Sequence, residues 1–424
     1  MMKIRTRFPA SLNLAHNRRL ATGLLAGVGL LAAIFVTPAL RAQQLDQLVS
    51  FNGANGNGPG GRMAVDTAGN LYGTTFYGGA DYCSYGCGTV YKLSKRGSQW
   101  ILTTLYQFDG FHEGAHPWGG ITLGPDGALY GSTYGGGASG AGLVFKLQPQ
   151  PSRCATALCY WDETVLYNFT GGADGSAPQG VLAFDSAGNL YGTTDGGGLN
   201  NDGVVYELSP AQGSWSFNVL YRFMGGADGS GPEDGVVIDG SGNIFGTTFI
   251  GGANSLGTVY ELTHGQSGWT ETVLHSFAGG DDGRYPTAPT VNPSGDIFGV
   301  TTEGGANNDG TAFELQPNGS GGFTYSIIYQ FNSVAGLFCD AECGLTLDQE
   351  GNLYGLGGSG SGDMVVFELS PSNGSWNLTV LGEGSENQYY EPSGWPIFDA
   401  QGNLYGTTEY GGADFDGNIF QLTR

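Results

Sequence analysis

Short apolar bursts alternate along the chain with polar, glycine-rich stretches, and the bursts recur in a fixed order. The clearest is Asn189-Leu190-Tyr191-Gly192-Thr193-Thr194, which returns in recognisable form from Asn70, Ala128, Asn243, Asp296, Asn352 and Asn403, seven copies in all. Between their aromatic third residues (Tyr72, Tyr130, Tyr191, Phe245, Phe298, Tyr354 and Tyr405) the spacings are 58, 61, 54, 53, 56 and 51 residues. These bursts are β-branched and aromatic and are bounded by turn residues, so each predicts a strand, and the glycine-rich spacing leaves no room for a long helix. A period of this size carried by strands marks a modular β architecture.

Three further bursts accompany each phrase. One is the strand type of Thr104 to Phe108, repeated at Val165 to Phe169, Val219 to Phe223, Val273 to Phe277 and Ile327 to Phe331. After it come a Gly/Asp/Pro loop, an apolar strand such as 235–239, a tight turn through Ser241-Gly242, and then the phrase. A second Gly/Asn loop leads to a run such as Gly257-Thr258-Val259-Tyr260-Glu261-Leu262. A connector, usually ending in Trp (Trp100, Trp161, Trp215, Trp269, Trp376), returns to the first type. Four strands joined by short connections predict an antiparallel meander. One meander cannot bury both faces alone, whereas meanders stacked radially can, which predicts an all-β fold: a β-propeller. The ends fit this reading. The strand at 45–51 has no repeat of its own, and the last repeat stops after its third strand, 418–422. One plus three completes a seventh four-stranded blade and removes the free edges. A parallel β-helix is the alternative, but its coils repeat at about half this period. The mid-phrase Gly is expected to let neighbouring sheets approach near the axis.

The ordered phrases Gly-Asn-Leu-Tyr-Gly-Thr-Thr, then Gly-Gly, then Gly-Thr-Val-Tyr-Glu-Leu resemble the GloVer tandem repeats of exported bacterial "choice-of-anchor" proteins, over nearly all of residues 43–424. The resemblance implies an exported bacterial protein and brings no catalytic residues with it. Members of that family often end in an anchoring segment. Here Arg424 follows the last strand directly, so surface attachment by such a segment is not expected.

Composition narrows the partners. The chain has 424 residues, 79 of them Gly, and a formal net charge of −23. Its first 42 residues hold six basic and no acidic side chains, which leaves −29 for the rest. A surface of that sign repels phosphate backbones and anionic lipid, so no nucleic acid and no membrane partner is expected. Lys3, Arg5, Arg7, Arg18 and Arg19 precede an apolar run from Leu20 to Val36, then Thr37-Pro38-Ala39-Leu40-Arg41-Ala42. This is the layout of an export signal over residues 1–42, cleaved after Ala42, which predicts a secreted or periplasmic propeller at 43–424. Retention as a membrane anchor is the alternative, with the run near the lower length limit for a span. The Arg18-Arg19 pair raises twin-arginine export, which its flanking residues fit poorly. Six cysteines fall in close pairs, Cys83/Cys87, Cys154/Cys159 and Cys339/Cys343, and in an exported chain these predict local disulfides. Zinc is the rival, but no His lies near any pair.

In a meander ring both Gly/Asp-rich loop families share one face. The loops crossing into the next blade bring Asp109, Glu113, Asp174, Asp228, Glu233, Asp234, Asp281 and Asp282. The other family brings Asp81, Asp195, Asp202, Glu303, Asp309, Glu409, Asp414 and Asp416. Lys95, Arg96 and Arg153 fall on the opposite face, so a one-sided acidic rim is expected. One column, Asn55, Glu113, Asp174, Asp228 and Asp282, precedes Gly in each crossing loop. Asp before Gly closes its own turn; the functional alternative is Ca²⁺, held by loop carboxylates and carbonyls without an EF-hand pattern. His112-Glu113-Gly114-Ala115-His116 is a literal His-Glu-x-x-His. It lies in register with the turn 171–178, between Gly110 and Pro117, so it is not expected to form the helix a zinc peptidase needs; a weaker metal contact by His112 and His116 is the residual alternative. Trp118 and Trp395 stand just past the crossing-loop prolines, near the expected channel mouth, where indoles stack on sugar rings or pack between blades. Phosphate loops, nucleophile elbows and dinucleotide fingerprints are absent from the sequence.

Two functional classes follow. The favoured one is a monomeric binding or interaction module for an extracellular glycan or protein, with Ca²⁺ ordering its loops as an option. The other is a metal-assisted lyase or hydrolase with carboxylates and His at the channel mouth. Convergence of polar groups on the axis separates them.

Overall fold

The computed structural model describes residues 45–423, apart from 81, 151–160, 334–336, 339–342, 360–362 and 385–389. Its strands pair into seven antiparallel sheets arranged in a ring. Each blade runs outward from an inner strand. In blade 3 the order is Ala183–Phe184, Leu190–Thr194, Val204–Ala211 and Ser214–Arg222. Blade 5 divides its inner strand into Arg284–Pro286 and Thr290–Val291, both paired to Ile297–Glu303. Blade 7 is made from both ends of the sequence: Tyr390–Phe398, Leu404–Tyr410, Asn418–Leu422 and, outermost, Leu45–Ser50. The latch pairs Leu45 with Leu422 and Ser50 with Asn418, and the Ser50 hydroxyl donates to Asn418 Oδ1 at 3.0 Å.

The core lies between blades. Seven apolar clusters occur among the described residues, one for each pair of neighbours. The cluster closing the ring joins Leu71, Tyr91 and Leu93 of blade 1 to Ile397, Tyr405 and Ile419 of blade 7. The phrase's third residue and the connector Trp meet in these seams: Tyr72 with Trp161, Tyr130 with Trp215, Phe298 with Trp376 and Tyr405 with Trp100, at centroid distances of 5.7 to 6.2 Å. Such tilted aromatic pairs add to the burial energy and fix the angle between sheets.

The mid-phrase glycine has a different role from the one its recurrence suggests. Gly192 pairs across the sheet with Tyr206 of the same blade. A β-carbon there would collide first with that ring, and the same holds for Gly73 under Tyr91, Gly246 under Tyr260, Gly131 under Phe145, and Gly299, Gly355 and Gly406 under Phe313, Phe367 and Phe420. The glycine therefore makes room for an aromatic ring of its own sheet, an in-register cross-strand pairing, rather than for the neighbouring blade.

At the face opposite the loops, one side chain closes each inner turn, a carboxylate in six blades and the Asn292 amide oxygen in blade 5. Asp185 accepts hydrogen bonds from the Ala187 and Asn189 N–H groups, the Asn189 amide and the Tyr191 hydroxyl, at 2.8 to 3.1 Å. Asp66, Asp348 and Asp399 repeat the pattern. On the other face the two loop families interlock. In blade 4 the Phe249 N–H donates to the Gly231 carbonyl at 2.8 Å and the Gly252 N–H to the Gly226 carbonyl at 2.9 Å.

Candidate functional site

The inner strands surround an axial channel of about 440 Å³. Successive strands approach closely because they carry glycine where they touch: added β-carbons at Gly61, Gly119 and Gly180 would overlap the backbone of the next inner strand. The Ile121 N–H donates to the Arg62 carbonyl at 3.0 Å, across blades. The wall mixes apolar side chains, among them Val65, Val181, Val236 and Ile397, with Thr122, Thr290, Arg62, Asp234 and Trp395. Arg62 lays its guanidinium over the Trp395 indole, 5.7 Å from the ring centroid. Asp234 Oδ2 accepts the Ala288 N–H at 3.1 Å. Burial pushes the Asp234 carboxyl up to about 7, with that hydrogen bond pulling the other way. Burial also pushes neighbouring Glu233 up to about 8, helped by the charges of Asp195 and Asp234.

Trp118 and Trp395 both line a smaller cavity, together with Gly61, Arg62, Gln179, Gly180, Asp234 and Gly394. Trp118 also packs edge-on against Phe76 at 4.8 Å, in an aromatic group on the loop-bearing face. His116 stacks on Phe76 at 4.7 Å, Tyr77 stands 5.5 Å from His116, and Tyr85 stands 6.2 Å from Tyr77. Blade 7 extends the group through Tyr410. A hydrogen bond to Glu409 pushes the Tyr410 phenol up to about 12, followed by burial, with smaller effects from Glu391 and Tyr77. Tyr85 is 87% exposed, Tyr82 69%, Phe111 62% and Tyr410 39%.

The Cys83–Cys87 disulfide presents Tyr85. This bond closes the turn that carries it, with a Cα separation of 5.1 Å. The Gly86 N–H donates to the Cys83 carbonyl at 3.0 Å, and the Gly78 N–H to the Tyr85 carbonyl at 2.8 Å. The disulfide lies against Gly110, and the His116 N–H donates to the Cys87 carbonyl at 2.8 Å, which joins the turn to the crossing loop. Cys343 is also disulfide-bonded, while Cys154, Cys159 and Cys339 lie outside the described residues, as do Asp81 and Arg153.

Each rim carboxylate of the Asp column works within its own loop. Asp174 Oδ2 accepts the Tyr167 hydroxyl and the Thr170 N–H, both at 2.9 Å, and its Oδ1 accepts the Thr170 hydroxyl. Asp228 accepts the Tyr221 hydroxyl at 3.1 Å and the Met224 N–H at 2.9 Å. Asp282 accepts the Ala278 N–H at 2.7 Å and pairs with His275 Nε2 at 3.1 Å. Glu113 instead faces Tyr106 and Glu163, whose carboxyl is pushed up to about 8 by burial and then by the Glu113 charge. These four residues belong to loops entering four different blades. His112 and His116 sit in a turn, not a helix. His112 is exposed, and His116 has Nδ1 3.0 Å from the Phe76 carbonyl, at a φ of 60°.

The profile of the Gloeobacter/Verrucomicrobia repeat matches residues 33–164 and 157–356, well over half of the sequence. The chain belongs to the Gloeobacter/Verrucomicrobia repeat family. Curated protein sequences yield no match. Solved structures similar to this repeat-family chain include a provisionally named 6-phosphogluconolactonase of Bacteroides uniformis, 15% identical, with a TM-score of 0.50 over 80% of this chain and 88% of that one. A provisionally named glucose dehydrogenase-type oxidoreductase of Thermus thermophilus is 16% identical, with a TM-score of 0.42 over 72% of this chain and 95% of that one. At such identities the first likeness shows the fold alone.

No recurring phrase or motif singles out Arg62, Tyr77, Tyr85 or Tyr410 in the sequence. Arg62 carries a signal in hindsight. Aligned on the turn that follows each inner strand, its position holds Gly120, Val181, Gly235, Ala288, Gly344 and Trp395 in the other blades.

Proposed function

We propose that this protein is an exported glycan-binding module that takes a neutral polysaccharide on its loop-bearing face, across blades 7, 1 and 2. The observation that carries this reading is the aromatic group Tyr410, Tyr77 and Tyr85, two of its three rings exposed, with Tyr85 held out by a disulfide-closed turn. Sugar rings stack their apolar faces on exposed aromatic side chains, and the flanking carboxylates and loop carbonyls accept the hydroxyl protons. Rigid presentation lowers the ordering cost of binding. A net charge of −29 beyond residue 42 argues for a neutral glycan over an anionic one.

Affinity electrophoresis tests it, with the protein lacking residues 1–42 run through gels containing soluble dextran, mannan or xyloglucan. Retardation in at least one gel is expected, and Tyr85→Ala should abolish it without changing Tm, because Tyr85 is exposed. Equal migration in every gel, or retardation unchanged in both Tyr85→Ala and Tyr410→Ala, overturns the proposal. Export is part of the same reading: the secreted protein should begin at Gln43 on N-terminal sequencing. The competing metal-assisted lyase or hydrolase requires His112, His116 and rim carboxylates to act on one substrate. Turnover of a sugar lactone, the substrate class in the Bacteroides protein's name, would favour it.

A further inference from the structure

The channel holds a charge that glycan binding on the outer face does not use. Among the described residues Arg62 is the one basic side chain lining it. The ion pairs of the described residues are Lys146–Asp126, His275–Asp282 and Arg284–Glu303, and Arg62 takes no part in them. It makes no side-chain hydrogen bond with these residues either. Its contact is the Trp395 indole, which holds the guanidinium flat. Burial pushes the Arg62 pKa down, but a guanidinium remains protonated in proteins, so the charge and its five donors stay. A partly enclosed guanidinium that takes part in no ion pair is costly until an anion joins it.

Three features define that anion. Arg presents a planar fork that matches a carboxylate with two parallel hydrogen bonds. Val65, Val181, Val236 and Ile397 give the rest of the ligand an apolar strip to lie against, between the polar groups of Thr122 and Thr290. At about 440 Å³ the space lies in the range of small-molecule sites. One guanidinium within a strongly acidic protein suits a monoanion, because a second negative charge would face the field of the whole chain unpaired. Asp234 lines the same space, and in its neutral form it can donate an O–H instead of repelling the ligand.

We propose that the axial channel is a second binding site, for a small organic monocarboxylate whose charged end pairs with Arg62 beside Trp395 and whose apolar body lies along the channel wall.

Calorimetric titration with benzoate, benzamide and inorganic phosphate tests this. Benzoate should bind, and benzamide and phosphate should bind roughly tenfold more weakly or less, since neither offers a singly charged carboxylate. Arg62→Met should weaken benzoate by about 10- to 100-fold, the worth of a charge-assisted pair. Arg62→Lys keeps the charge without the fork and should fall between, which preserves the test if the Met variant does not fold. Tryptophan fluorescence should change on adding benzoate to the parent and not to Trp395→Phe. Benzoate affinity unchanged in both Arg62 variants, equal binding of benzoate and benzamide, or no heat with benzoate, hexanoate or acetate overturns the proposal. Tyr85→Ala should bind benzoate as the parent does, and Arg62→Lys should keep polysaccharide retardation, so the two sites fail independently.

Discussion

The phenol ring of Tyr206 lies directly over the α-carbon of Gly192, closer than any side chain at that position would allow. Each blade repeats this pairing, with Tyr in blades 1, 3 and 4 and Phe in the rest, so one cross-strand contact recurs as the ring's common packing unit. Gly192→Ala should therefore destabilise the protein by about 1–3 kcal/mol through overpacking. Chemical denaturation measures the change, and a variant as stable as the parent would show that the ring moves aside freely.

The hydroxyls of Tyr91, Tyr206 and Tyr260 are buried without a hydrogen-bond partner. Phenylalanine occupies the same place in the other four blades, so the hydroxyl is not needed for packing. Tyr206→Phe should be neutral or stabilising by up to about 1 kcal/mol, since it removes an unsatisfied polar group and keeps the ring. A clear loss of stability would reveal an ordered water serving that oxygen.

Stability should fall as pH rises from mildly acidic to mildly basic. Burial first, with nearby carboxylates adding to it at Glu163, Glu233 and Glu271, holds four carboxyls above their ordinary values: Glu163 and Glu233 at about 8, Asp234 and Glu271 at about 7. The folded state binds these protons more tightly than the unfolded chain does. Their contribution is thus complete below the unfolded values of 3.8 and 4.5 and is lost as pH climbs through 7 and 8. Asp66, Asp174, Asp185 and Asp399 shift the other way, because hydrogen bonds to each outweigh the upward push of burial, and they contribute above 3.8. Tm should accordingly peak near pH 4 to 5, about where the two sets cross. Glu163→Gln should raise Tm at pH 8 relative to the parent and leave it nearly unchanged at pH 5. A flat Tm from pH 5 to 8 in the parent would contradict this.

Replacing Cys83 and Cys87 together by Ser should lower stability by about 2 kcal/mol, the loop-closure entropy of so short a ring. Polysaccharide retardation should weaken as well, because Tyr85 loses its rigid turn and Gly110 its packing partner. Retention equal to the parent's would separate Tyr85's role from the disulfide.

The blade count, the closure of blade 7 and the sharing of one face by both loop families were legible because they rest on local phrases repeated in phase. Asp174 and Asp228 closing their own turns was legible for the same reason. Cross-strand register was not: nothing in Gly192 or Tyr206 alone says that they oppose each other, and so the glycine was assigned to the space between blades. The lining of the channel was hidden for a related cause. Six of the seven blades give it a few residues each, mostly some 55 to 60 positions apart, and Arg62 and Trp395 become neighbours only when blades 1 and 7 meet. Tyr85 belongs to no recurring phrase, and its direction is set by the Cys83–Cys87 disulfide that closes its turn.

The pairing of Ser50 with Asn418, 368 residues away, also sets an order of events in the cell. Leu45–Ser50 is synthesised well before the strand it pairs with, so the ring stays open while the six blades between them are made. Until Asn418–Leu422 exists, the opening strand has no edge to join and blade 7 cannot be completed.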